Sequence, residues 1–260
     1  MPIKPRVALV IHDLHYPFVN WPTWNAAIDF LKHNKVDWLI LGGDQFDNAE
    51  ISHHNKKKPY FKDKGSYAKN EEGFKQDIFV PLMAALPKKA ERVWIIGNHD
   101  RFERDLVEAH PEMEGHVERV KTLKLAKYGW QVIELGHAYR LGKLNVIHGE
   151  ILTGIGNQAG MYPSRKAVEL YGASVLAGHT HAPQSFAKIS PVEKTQKHMA
   201  WIAPCACDVN PLYLQNRPTA WLNGITVVEV RSDDAFNVFP CITIKGQFSY
   251  GGRIYGKPTK

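Results

Sequence analysis

The sequence predicts an α/β fold. Three observations carry that expectation. Short aliphatic and β-branched runs alternate with helically spaced segments through the first half, in the order βαβ, loop, αβα. From Gln184 onward the pattern becomes mostly strand. The apolar runs stop abruptly at glycine or at polar residues, as buried strands do. Helices that alternate with strands cover sheet faces, so layered packing follows.

Residues 7–11 form a short aliphatic run and read as the first strand. Residues 24–33 carry Trp24, Ala27, Ile28 and Leu31 at helical spacing and read as an amphipathic helix. Residues 36–41 are a second strand, stopped by Gly42-Gly43. Residues 48–70 show no period and read as a long loop, with Lys56-Lys57-Lys58 and several aromatics. Residues 71–86 are helical up to Pro87, with a kink expected at Pro81. Residues 92–96 are a third strand, and 101–110 a helix closed by Pro111. Residues 131–135, 138–141 and 144–148 read as a short antiparallel run. A helix over 163–171 and a strand over 174–177 follow, then strands over 185–189, 199–203, 224–230 and 236–244. One domain over residues 1–245 is expected. Residues 246–260, rich in Gly and Lys, read as an exposed tail or edge.

A chain of 260 residues can bury a full single core. No leader is expected, because Met1-Pro2-Ile3-Lys4-Pro5-Arg6 runs straight into the first strand. No apolar stretch approaches the roughly 18 residues of a membrane span, so no membrane partner is expected. Three cysteines, Cys205, Cys207 and Cys241, make no disulfide framework, and the cytoplasm is the expected compartment. The C-x-C pair can bind metal, but small half-buried residues in a strand or its following loop are the plainer expectation. A net charge of +7 favours anionic partners, phosphate esters and nucleic acid among them.

Five segments carry the chemistry: Asp13-Leu14-His15, Gly43-Asp44-Gln45-Phe46-Asp47, Gly97-Asn98-His99-Asp100, His148-Gly149-Glu150 and Gly178-His179-Thr180-His181. Each follows an apolar run. In an extended segment residues i and i+2 share a face, so Asp13 and His15 can grip one ion, and so can His179 and His181. His12 falls on the opposite face and reads as structural. Asp44 follows two glycines that let the backbone turn sharply, and its two oxygens can bridge two ions; a turn or helix cap is the alternative. Asn98 offers a carboxamide oxygen, His99 is left for proton transfer, and Asp47 can hold its imidazole. The alternative is that Asn98 or Asp100 caps the helix from Arg101; Asp100 reads as that cap while Asn98 still ligates.

This set, D-x-H, G-D-x-x-D, G-N-H-D, H and G-H-x-H in order, resembles the calcineurin-like metallophosphoesterase superfamily. The motifs cover residues 7 to about 181. The resemblance implies a four-layer α/β/β/α sandwich with a dinuclear centre at the strand ends. It implies that Asp13, His15 and His181 hold one ion, that Asn98, His148 and His179 hold the other, and that Asp44 bridges them. It makes His99 the proton donor, with Asp47 as its partner. Asn48-Ala49 stands where the serine/threonine protein phosphatases carry Arg-Gly, and Asp100 stands in place of Glu. The pattern is closer to the phosphodiesterase, nucleotidase and repair-nuclease branches, and to small phage or bacterial members.

The expected reaction is hydrolysis of a phosphoester by a metal-activated hydroxide, with His99 protonating the leaving oxygen. Two divalent ions are implied, Mn²⁺ first, with Fe/Zn as the alternative. The expected substrate is a phosphorylated small molecule or nucleic acid, as diester or monoester; no protein partner is deducible. His53, His54 and Lys57 in the basic loop are candidate substrate contacts, since lysines among aromatics can hold phosphates and stack bases. A solvated charged loop is the alternative. Arg165 is a further candidate for phosphate, against a plain surface role. Trp221 lies in a late loop that either walls the pocket or packs on the sandwich. Two other readings remain: a protein phosphatase, and a non-catalytic scaffold on this fold, as in a retromer subunit that has lost the catalytic histidine.

Overall fold

The apolar runs pair into two sheets. A computed structural model describes residues 4–52, 66–153, 162–193, 197–211 and 218–259. In chain order the first elements are β1 (Arg6–Ile11), α1 (Trp21–His33), β2 (Trp38–Leu41), α2 (Tyr67–Phe74), α3 (Val80–Ala85), β3 (Glu91–Ile95), α4 (Arg101–Ala109), α5 (Arg119–Thr122) and β4 (Trp130–Ile133). They are followed by β5 (Tyr139–Leu141), β6 (Leu144–Ile147), α6 (Pro163–Tyr171), β7 (Ser174–Ala177), β8 (Gln184–Ile189) and β9 (Lys197–Ile202). The last are β10 (Gly224–Val230), β11 (Phe236–Ile242), β12 (Gln247–Tyr250) and β13 (Arg253–Gly256).

One sheet has the order β11-β10-β1-β2-β3-β4 and the other β5-β6-β7-β9-β8. Alternation along each strand sends side chains to both faces, and along central strands such as β2 and β7 both are buried. Ala8, Val10, Ile40, Val93 and Val228 meet Leu144, Val146 and Leu176 between the sheets. Leu9, Leu39, Leu41, Trp94 and Val227 face the other way, onto Phe30, Phe74 and Leu82 of the helices. Ile147, Val175, Ala177 and Ile202 pack on Ala167 and Val168 of α6. The layers therefore run helix, sheet, sheet, helix, as the expected four-layer sandwich does.

Several local expectations need correction. Helix α1 starts three residues early, because Asn20 caps it by accepting from the Thr23 N–H and Pro22 suits the first turn. Helix α2 begins at Tyr67, capped by Ser66, inside the segment read as loop. The segment read as one kinked helix is α2 and α3 joined by a π-helical turn, Lys75–Phe79, just before Pro81. Strand β4 is no part of an antiparallel run with β5 and β6. It lies parallel to β3 at the edge of the first sheet, while β5 and β6 pair antiparallel in the second. A period of two reports a strand, not the sheet it joins.

Of the expected exposed tail or edge, the structure shows an edge with one buried face. β12 and β13 form a hairpin whose register pair Phe248 and Tyr255 is almost wholly buried against Phe30 of α1. The Gly and Lys content concealed an aromatic pair on one face.

The candidate metal centre

Parallel pairing sets the centre. β1, β2 and β3 run parallel, as do β6 and β7, so their C-terminal ends emerge at one rim. Asp13, Asp44, Asn98, His148 and His179 leave from those five ends. Asp13, His15, Asp44, His179 and His181 all have left-handed backbone, with φ of 55°, 47°, 52°, 68° and 58°. Such conformations cost about 1–3 kcal/mol each for non-glycine residues and persist where the surroundings enforce them. Residues i and i+2 therefore do not share a strand face here, contrary to the expectation for an extended segment. Asp13 and His15 lie on a turn after the strand, and turn geometry aims them.

Two glycines make the approach possible. A Cβ at Gly43, where φ is +102°, would lie 2.3 Å from Nδ1 of His148. A Cβ at Gly97 would lie 2.1 Å from Oδ1 of Asp44.

Asp44 and Asp13 each have one oxygen anchored and one turned inward. Asp44 Oδ1 accepts from the His99 N–H at 2.9 Å, and Asp13 Oδ2 from the His179 N–H at 2.8 Å. Asp44 Oδ2 then faces His148 Nε2 at 3.3 Å, His15 Nε2 at 3.7 Å and His99 Nε2 at 4.0 Å. Asp13 Oδ1 faces His181 Nε2 at 3.5 Å and His148 Nδ1 at 3.8 Å.

Around His148 Nε2 stand Asn98 Oδ1 at 2.8 Å, His179 Nδ1 at 3.2 Å and Asp44 Oδ2 at 3.3 Å. Adjacent donors about 2.1 Å from one octahedral ion are separated by about 3 Å, so this group fits a single cation. On the other side His15 and His181 share a donor cluster with Cys207. Asp13 Oδ1 and His15 Nε2 are buried with no hydrogen-bond partner, as expected of atoms meant for ions. All seven residues expected as ligands thus converge on one rim, with Asp44 between the two groups.

The electrostatics agree. Burial alone would raise the Asp44 carboxyl, but His148 and His99 beside it hold it well below the ordinary carboxylate range. Burial likewise opposes the ionised Asp13, and His181 and His148 outweigh it. Burial works against charge on His15 and His148, yet Asp47 and Asp44 carry His15 up to about 9, and Asp44 carries His148 up to about 10. Burial, with His148 nearby, pushes His179 down to about 4. The metal-free centre therefore keeps its carboxylates ionised and stores protons on two imidazoles, where cations would replace them.

The partner residues differ from expectation in detail. Nδ1 of His99 meets the main-chain carbonyl of Asp47 at 2.6 Å, and lies 3.7 Å from the Asp47 carboxylate. That carboxylate is nearer to Nδ1 of His15, at 3.2 Å. Asp100 stands at the N-cap of α4, but its side chain makes no capping hydrogen bond; its Oδ2 accepts instead from the Gly97 N–H at 2.8 Å and closes the turn that carries Asn98 and His99. His12 is structural, as expected: Nε2 contacts the Ile147 carbonyl at 3.2 Å, and burial pushes its pKa down to about 4. Arg165 is engaged on the surface of α6, where its Nε lies 2.9 Å from the Glu169 carboxylate. His53, His54 and Lys57 lie outside the described residues.

The model of the calcineurin-like phosphoesterase family matches residues 8–183, well over half of the chain. The chain belongs to the calcineurin-like phosphoesterase family. No curated protein is similar enough in sequence to match it. Among solved structures it is similar to a Vps29 single mutant from Entamoeba histolytica, at 13% identity and a TM-score of 0.46, covering 98% of this chain and 99% of that one. It is also similar to a dimetal phosphatase from Danio rerio, at 8% identity and a TM-score of 0.43, covering 88% and 94%. A third is the nuclease MPE from Pseudomonas putida, at 16% identity and a TM-score of 0.35, covering 96% and 87%. TM-scores this low carry no weight for function. Membership of the family rests on the sequence match, and the layered architecture agrees with it.

For a calcineurin-like phosphoesterase the rim is the expected place for divalent ions, and the donor clusters there are of the right kind. Two residues of this rim were visible in the sequence but not tied to His181. Cys207, expected half-buried, is buried with Sγ 3.8 Å from Nδ1 of His181. Trp221 packs its ring 4.3 Å from that of His181, edge to face. The C-x-C signal and the late Trp were visible, but nothing local tied them to a histidine some 26 or more residues away. Among the described residues no helix is long and apolar enough to cross a membrane.

Proposed function

We propose that the chain is a dinuclear metal-dependent phosphoesterase, acting as a phosphodiesterase or phosphomonoesterase on a nucleotide or nucleic-acid substrate. The observation that carries this reading is the inward oxygen of Asp44, which faces His15, His148 and His99 together. Asp13, His15 and His181 would hold one ion, Asn98, His148 and His179 the other, with Asp44 between. The nitrogen and oxygen donors suit Mn²⁺, or an Fe/Zn pair. Ions bound there would lower the pKa of a shared water and neutralise charge on the phosphoryl oxygens.

His99 supplies the proton. Its Nδ1–H is committed to the Asp47 carbonyl, so Nε2 is the nitrogen that turns toward Asp44 and the centre. Its side chain is 29% exposed, more than those of the buried ligands, which leaves it open to a leaving group. A proton on Nε2 would pass to the departing alkoxide oxygen, provided that oxygen lies within hydrogen-bond reach. The Asn48 amide donates to the His99 carbonyl at 3.0 Å and steadies this segment.

Asn48 favours this reading over the protein phosphatase one. It occupies the place of the protein phosphatases' arginine, cannot clamp phosphate as a guanidinium does, and is bonded to His99 and Arg119. The scaffold reading is disfavoured because His99 and the full ligand set are retained.

A substrate panel with Mn²⁺ tests the proposal: p-nitrophenyl phosphate, its bis-ester, cyclic nucleotides, mononucleotides, and single- and double-stranded DNA. Turnover of the bis-ester and DNA supports a nuclease or phosphodiesterase. Turnover of monoesters supports a nucleotidase. No metal-dependent turnover of any of them, with Mn²⁺, Fe²⁺ or Zn²⁺, would overturn the enzyme reading.

A further inference from the structure

The imidazole of His181 is gripped on several sides, by Asp13 of the motifs and by residues the motifs do not include. Its Nε2 faces Asp13 Oδ1 at 3.5 Å, whereas its Nδ1 faces Cys207 Sγ at 3.8 Å. The Trp221 ring stands edge to face against it. The main chain at His181 is tied down as well, since its carbonyl accepts from the Leu222 N–H at 3.0 Å.

Cys207 is held in place from both sides. The Ala206 N–H donates to the carbonyls of His12 and Asp13 at 3.0 and 3.2 Å, and the Ala206 carbonyl accepts from the Asn20 N–H at 2.9 Å. The Cys207 carbonyl accepts from the Asn223 side-chain amide at 2.6 Å. Residues 205–207 are thereby stitched onto the turn that carries Asp13, and the thiol is buried.

A histidine that ligates through one nitrogen normally donates from the other to a fixed acceptor, which sets its tautomer and ring angle. For His148 a backbone carbonyl stands in that position: Nδ1 lies 3.3 Å from the Gly42 carbonyl. For His15 it is the Asp47 carboxylate, 3.2 Å from Nδ1. For His181 the group on Nδ1 is sulfur. Sγ also lies within 4.8 Å of donor atoms of His15 and His181, so direct ligation is the competing outcome; it is disfavoured because Sγ sits on the nitrogen opposite to the one that faces Asp13.

We propose that Cys207 is a positioning residue for the first metal ion, its sulfur accepting the Nδ1–H of His181 and so turning the Nε2 lone pair toward that ion. The inference rests on the dinuclear centre proposed above. A C-x-C pair that reads as packing thus acts on one member of the ligand set.

The test uses the full chain with Co²⁺ as the probe, and the variants Cys207→Ala and Cys207→Ser. Binding of each equivalent is followed by visible absorption in competition with a chelator. Cys207→Ala is expected to weaken one of the two ions by about 10- to 100-fold and to leave the other unchanged. Cys207→Ser, which keeps an acceptor, is expected to restore most of that loss. Equal affinity of Cys207→Ala and the parent for both ions would overturn the inference while leaving the centre intact. So would an intense near-ultraviolet sulfur-to-cobalt band in the parent, which would make Cys207 a ligand. A parent chain that takes up fewer than two ions would overturn the dinuclear reading itself, and this inference with it. If Cys207→Ala does not fold, the ¹⁵N shifts of His181 in the Zn²⁺-loaded parent decide: an Nδ1–H tautomer supports the proposal, and an Nε2–H tautomer overturns it.

Discussion

Asp47 holds His99 by its main-chain carbonyl, 2.6 Å from Nδ1, while its carboxylate turns to Nδ1 of His15 at 3.2 Å. One residue thus touches the proposed proton donor and a proposed ligand through different atoms. Asp47→Ala keeps the carbonyl and removes only the acceptor behind His15. It is expected to lower the affinity for one ion by about 10- to 100-fold, with turnover largely recovered at saturating metal. A metal titration with parallel rate measurements checks this. Unchanged affinity with a rate that stays low at saturation would mean that the carboxylate acts on His99 after all.

His99 itself gives the converse result. His99→Ala is expected to keep both ions and to lose about 10²- to 10⁴-fold in kcat on substrates whose leaving alkoxide needs a proton. The loss should be smaller with a nitrophenyl leaving group, which departs unprotonated. Near-parent rates on alkyl esters would remove His99 from the proton-donor role.

Gly97 has a steric part in the centre. Gly97→Ala places a methyl 2.1 Å from Oδ1 of Asp44, and Asp44 is anchored by the very next turn. Displacing it disturbs both ion groups at once, so metal content after gel filtration should fall below two per chain. Two retained ions in this variant would argue against the bridging place of Asp44.

Arg119 is a buried cation between the rings of Phe46 and Tyr67, each 3.8 Å from its guanidinium, and it pairs with Glu50 at 3.2 Å and Glu103 at 3.3 Å. Arg119→Met leaves two shielded carboxylates without a cation, which typically costs about 3–5 kcal/mol. Burial already pushes Glu103 up to about 7, despite Arg119. Without the arginine it takes up a proton more readily, so the destabilisation should be smaller at acidic pH than at alkaline pH. Urea unfolding of both chains on either side of neutrality reads this directly.

The metal-free chain should also lose stability as pH rises. His15 and His148 have folded pKa values of about 9 and about 10, above the ordinary 6.5. A raised value means that the folded state binds the proton more tightly, so the stabilisation is complete below 6.5 and is lost as pH climbs through 9 and 10. Thermal unfolding in the presence of a chelator should therefore show a Tm that falls across that window. Bound divalent ions should remove the trend, because they take over the charge of those protons. A metal-free Tm that rises with pH in this range would contradict the charge state assigned to the centre.

Much of this was written locally. Asp44, Asn98, His148 and His179 are donors placed directly after apolar runs, and an apolar run followed by Gly and a donor needs no distant contact to be recognised. The pairing of β12 with β13 was not legible, because Phe248 and Tyr255 become a buried pair only when they meet Phe30, more than two hundred residues earlier. The sheet that β4 joins was hidden for the same reason.

By itself, then, the sequence determined which chemical groups stand at the strand ends and in what order, since residue type and short-range periodicity are local properties. Only the tertiary structure decided which atom of each group faces which. It turned the Asp47 carboxylate to His15 and its carbonyl to His99, set Asp100 on Gly97, and brought Cys207 to the back of His181. Those choices arise from left-handed turns and from pairing between remote strands, where the energy lies in contacts that no stretch of sequence contains.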